Sequence, residues 1–126
     1  MVAVERGMVA WDSVVAPDDD VAIAALTAAE LLLGVQLADA FHRQTRHEFV
    51  EGILERVPCE DYSLETARSH AALLSYVRRS GTMRGAHDLI IAATAVASTR
   101  TVVTADAGAF EDLPGVVVRT IASHSA

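Results

Sequence analysis

The stretch "VAIAALTAAELLLGV", residues 21–35, decides how the chain is read. It opens with small and β-branched apolar residues, as a buried strand does. It then passes without a break into Ala- and Leu-rich sequence that favours helix. The expected unit is a strand running straight into a helix that stops near Gly34 or shortly beyond. Thr27 and Glu30 have the [ST]-x-x-E spacing of a capping box, in which the glutamate bonds back to the helix's first backbone N–H. On this segment alone the capping reading is favoured; Glu30 is also the single acid of the run, one helical turn beyond a strand, so the rest of the chain decides whether it is a functional carboxylate.

Working outward, "VAVERGMVAWDSVV" (2–15) reads as a short helical stretch and "APDDD" (16–20) as a turn. From Ala38 to Val57, Phe41, Phe49, Ile53 and Val57 recur at multiples of four, which predicts a long amphipathic helix ended by Pro58. "CEDYS" (59–63) holds a short strand, and Ser63 caps a helix with Leu64, Ala67, Ala71, Leu74 and Val77 on one face. A basic connector, "RRSGTMRGAHD", leads to the apolar helix "LIIAATAVAS". The strand "TVVT", the turn "ADAGAF" and a final strand in "PGVVVRTI" complete the chain. Strands alternating with helices imply a small α/β fold around a mostly parallel sheet.

Composition bounds the rest. With 126 residues, 52% hydrophobic and 21% charged, residues 1–126 are expected to form a single globular domain. The lone Cys59 has no partner for an internal disulfide, and the five histidines are too scattered for zinc spacing. The longest apolar run, "LIIAATAVA", is too short to span a bilayer, and Glu5 and Arg6 interrupt any secretory h-region. The expectation is a cytoplasmic protein with no membrane partner. All ten basic residues are arginine and the net charge is −7, so the overall field does not attract nucleic acid. A simple nucleic-acid binder is disfavoured. A metal-dependent nuclease is not, because its carboxylates contribute to that charge.

Asp88 opens the helix "DLIIAATAVA" and Asp106 follows the strand "TVVT". Strand ends and helix starts share one edge of a parallel sheet, the edge where ligands bind. Glu30, Asp88 and Asp106 therefore reach the same rim from three strand-to-helix junctions. Taken singly, each has a plain explanation as a capping partner, an acid favoured by a helix dipole, or a turn aspartate. Together they carry mutual repulsion, which is usually retained where a cation is bound. Oxygen-only ligands suit Mg²⁺ or Mn²⁺, and the chemistry that follows is phosphodiester hydrolysis.

"TAAELLLGV", "GAHDLIIAATAVA" and "VVTADAGAFEDLPGVVV", in this order and at these spacings, resemble a PIN domain of the VapC type, the toxins of bacterial toxin–antitoxin pairs. The resemblance covers essentially the whole chain. It implies a PIN-like α/β fold with helices on both faces of a small parallel sheet. It also implies an Mg²⁺- or Mn²⁺-dependent endoribonuclease, acting on RNA, inhibited by a VapB-type antitoxin and commonly a homodimer. Glu30, Asp88 and Asp106 match the family's catalytic, metal-binding acids, and Thr104 matches a supporting hydroxyl position. His87 matches a position often held by histidine and is read as a helix-entry residue. Arg78, Arg79 and Arg84 are candidates for RNA phosphates, with a solvated helix end as the alternative.

Two departures stand out. The family begins with a central strand ending in Asp-Thr or Asp-Ser, whereas "MVAVERG" resembles the segment just after that motif. The expectation is therefore a sheet lacking its first strand and a chain that is a poor nuclease as written. Either an upstream start encodes the missing strand, which the undamaged core pattern favours, or the copy is truncated. Ala109 also stands where many relatives carry an aspartate, which removes support for a second metal. The competing function is a catalytically inactive PIN-like protein that only binds an antitoxin or other partner.

Overall fold

The computed structural model describes strand Val2–Val4 and residues 21–120. In chain order the elements are β1 (Val2–Val4), β2 (Val21–Ala24), α1 (Ala25–Leu37), α2 (Arg43–Arg56), β3 (Cys59–Glu60), α3 (Leu64–Ser80), α4 (Ala86–Ala97), β4 (Thr101–Thr104), one 3-10 turn (Ala107–Ala109) and β5 (Val118–Thr120). The strands form one parallel sheet in the order β3-β2-β1-β4-β5.

This order corrects the expectation of a missing first strand. Val2–Val4 is not helical but takes the central place, with Ala3 opposite Ala22 on one side and Val102 on the other. Three residues are too few to show a period of two, so the strand is invisible to pattern reading. What specifies it is its neighbours. β2 and β4 are both buried and apolar, and each needs a hydrogen-bonding partner along its inner edge. The rest of "VAVERGMVAWDSVV", with Trp11, and the turn "APDDD" lie outside the described residues.

Alternation along the strands builds a core on each face. Ala24 and Val102 join Leu73, Leu89, Ile91 and Phe110 beneath α3 and α4. Ile23 and Val103 instead pack with Ile53, Leu31 and Leu54 beneath α1 and α2. Helix α4 is buried along most of its length, from Leu89 through Ala95, which explains its unbroken apolar run. Between the 3-10 turn and β5, Gly115 takes φ +79 in the Pro-Gly turn closed by the Val116 N–H on Leu113 O, a conformation that favours glycine.

Three local expectations shift. The long helix from Ala38 begins only at Arg43, because the chain turns at 38–42. Phe41 (86% exposed) and Phe49 (59%) are consequently off the core, while Ile53 is in it. On α3 the buried face centres on Thr66 and Leu73, leaving Leu64 and Ala71 exposed. Ser63 caps that helix as expected, with Thr66 completing the reciprocal pair.

Candidate functional site

The strand order reverses direction between β1 and β4, the switch point beside which open parallel sheets bind ligands. β2 leads directly into α1, which carries Glu30, and β4 leads through Ala105 to Asp106. Helix α4 begins at Ala86 and places Asp88 in its first turn.

The capping box is absent. Helix α1 starts at Ala25 with no side-chain cap, so Thr27 lies inside the first turn and Glu30 beyond it. Thr27 is fully buried, and its Oγ1 has no hydrogen-bond partner among the described residues. Glu30 is half-buried, with Oε1 shielded from solvent and 3.6 Å from His87 Nδ1. Glu30 is thus released from helix capping and turned toward the start of α4.

Asp88 is also half-buried, with Oδ1 shielded from solvent. Its Oδ2 folds back over the helix start, and a Cβ on Gly85 would come within 3.0 Å of it. Glycine at that N-cap gives the carboxylate room near the free N–H groups of the first turn. Asp106 is exposed. Its backbone N–H donates to Thr104 Oγ1 at 3.0 Å, so buried Thr104 shapes the turn that carries it.

Arg84 does something the sequence did not suggest. Its Nη1 donates to Gly108 O and its Nη2 to Glu111 O, both at 2.7 Å. The guanidinium ties the connector before Asp88 to the turn after Asp106. Its pairing with two backbone carbonyls gives it a task other than the phosphate contact expected of it. Arg78 and Arg79 stay exposed on the last turn of α3. Isolated arginines look alike in sequence, and only the fold shows which one closes a 24-residue gap.

Glu30, Asp88, Asp106 and Thr104 offer carboxylate and hydroxyl oxygens, the hard donor type that suits a cation keeping several of its waters. Among the described residues, no group of three or more His, Cys, Asp or Glu is close enough to hold a metal by itself. Exposed Cys59 lies on β3. Partial burial, then Asp61 and Glu60, push its thiol above the ordinary range, so it is protonated at neutral pH and a weak nucleophile.

The fold can be matched to solved structures. Over 96% of this chain and 99% of the other, it superposes on VapBC2 from Rickettsia felis bound to a DNA fragment from its promoter, with TM-score 0.81 and 20% identity. The chain has the PIN-like fold of VapC-type toxins. Identity is higher, at 29%, with FitAcB from Neisseria gonorrhoeae, over 94% of this chain and 96% of that one, with TM-score 0.76. DNA-bound VapBC from Salmonella typhimurium matches at 28% identity and TM-score 0.74, over 79% and 74% of the two chains. No protein-family model and no curated protein sequence matches the chain. No helix among the described residues is long and apolar enough to cross a membrane.

Proposed function

We propose that this PIN-like protein is the toxin of a VapBC-type pair, a cytoplasmic Mg²⁺- or Mn²⁺-dependent endoribonuclease held inactive by a VapB-type antitoxin and acting as a homodimer. The observation that carries the reading is the connected rim. Glu30 meets His87, the neighbour of Asp88, and Arg84 ties that same helix entrance to the turn of Asp106. Glu30 and Asp88 would hold the ion, with Asp106 at the open side and Thr104 fixing its turn. A bound Mg²⁺ or Mn²⁺ would supply polarisation of a phosphoryl oxygen and an acidified water. The chain's own residues supply negative charge, shielding from bulk water and fixed spacing.

The decisive test is Asp88→Asn. It keeps size and removes the charge that a hard cation needs. Cleavage of RNA in Mn²⁺ should fall at least a hundredfold with the thermal midpoint nearly unchanged. A variant that cuts at the parent rate removes Asp88 from the site. One observation favours the inactive, antitoxin-binding alternative: the described residues do not form a three-ligand cluster. That alternative predicts no EDTA-sensitive cleavage by the parent chain.

A further inference from the structure

Between α1 and α2 lies a cavity of about 490 Å³ whose walls include Glu30, Gly34, His42, Arg46, Phe49 and Val50. A second hollow of about 350 Å³ shares Gly34, His42 and Arg46 and continues toward Leu37. The first is of a size that takes a small organic ligand. At one end it includes Glu30, the carboxylate of the candidate metal site, so an occupant would extend directly to that site.

Two of its polar groups, Arg46 and His42, are able to take an anion, beside the carboxylates of Glu30 and Asp39. Arg46 lies against α1, with its stem and Nη1 within 4 Å of where a Cβ on Gly34 would stand. Among the described residues its guanidinium makes no hydrogen bond or ion pair. His42 Nδ1 donates to Asp39 Oδ1 at 2.9 Å and to Oδ2 at 3.0 Å, and its backbone N–H donates to Oδ1. This fixes the ring and leaves Nε2 as its open nitrogen. The hydrogen bonds from His42 hold the Asp39 carboxyl below its ordinary range, so the arrangement persists at neutral pH. Phe49 adds an exposed aromatic face.

A held imidazole, an uncommitted guanidinium and an open aromatic ring beside a phosphodiester-cleaving site match the parts of one nucleotide. We propose that this groove is the subsite for a nucleotide of single-stranded RNA adjoining the bond to be cut. Arg46 takes its phosphate, His42 Nε2 a phosphate or sugar oxygen, and Phe49 stacks on its base. The inference rests on the ribonuclease reading for its substrate. RNA is favoured over a protein segment because the guanidinium of Arg46 and the open nitrogen of His42 stand beside the ring of Phe49, while Leu31 and Val50 form the apolar wall against which a base packs.

The test measures fluorescence anisotropy of a labelled eight-nucleotide single-stranded RNA with the full chain in EDTA, alongside cleavage in Mn²⁺. Arg46→Ala should weaken binding about tenfold and lower the salt slope by about 0.7, the value for one phosphate contact on a single strand. Phe49→Ala should weaken it about fivefold or more, as loss of one stacked base does. Arg46→Lys should keep most of the affinity. Arg68→Ala, which removes the same charge from exposed α3, should change it less than twofold. Both alanine variants binding within twofold of the parent would overturn the proposal. So would equal losses in Arg46→Ala and Arg68→Ala, or an antitoxin peptide protecting α1 and α2 amides while RNA does not. RNA held through Arg46 and Phe49 but never cut would sink the ribonuclease reading and leave the groove standing. Cleavage with unchanged KM in both variants would do the reverse.

Discussion

At the scale of single residues, Arg84 separates two ways in which a basic side chain serves a nuclease. An arginine that holds RNA raises KM when removed and leaves kcat alone, whereas one that positions catalytic acids lowers kcat. Under the proposed function, the two 2.7 Å bonds to Gly108 O and Glu111 O assign Arg84 to the second class. Charge-assisted bonds of this length are at the short end of the range and define the spacing they bridge. Arg84→Ala is expected to lower kcat about tenfold while KM stays within twofold. Arg84→Lys should fall between, because one ammonium cannot reproduce the fork to two carbonyls. Steady-state kinetics with a thermal midpoint on the same preparations checks this. A raised KM at constant kcat would return Arg84 to phosphate binding.

At the scale of elements, legibility followed length and burial. Helix α4 and strands β2 and β4 were readable because each is a continuous apolar run bounded by turn residues. The capping box at Thr27 was misread because a local motif gave way to tertiary packing, which buries Thr27 completely. β1 was missed because three residues carry no pattern of their own. Its recovery completes the sheet, because β2 and β4 are each paired with it along their inner edges.

At the scale of the whole molecule, the acidic rim links function to stability. The carboxylates of Glu30 and Asp88, each with a shielded oxygen, add to a chain that already carries a net charge of −7. A cation that binds only the folded state stabilises it by about 2.7 kcal/mol at a hundred times its Kd. For a domain of this size that is a rise in thermal midpoint of roughly 10 °C. The parent chain should show this rise on titration with Mn²⁺ and lose it in EDTA. Asp88→Asn should behave differently in its two states. Without metal its midpoint should stay close to the parent's, because the amide keeps the size of the carboxylate at the helix start. With metal it should gain little, because the remaining carboxylate binds a divalent ion weakly. Calorimetric scans of both proteins with and without Mn²⁺ give the four midpoints. Equal metal-induced shifts in parent and variant would mean that the ion acts elsewhere on the acidic surface, and the rim would then be a structural feature rather than a metal site.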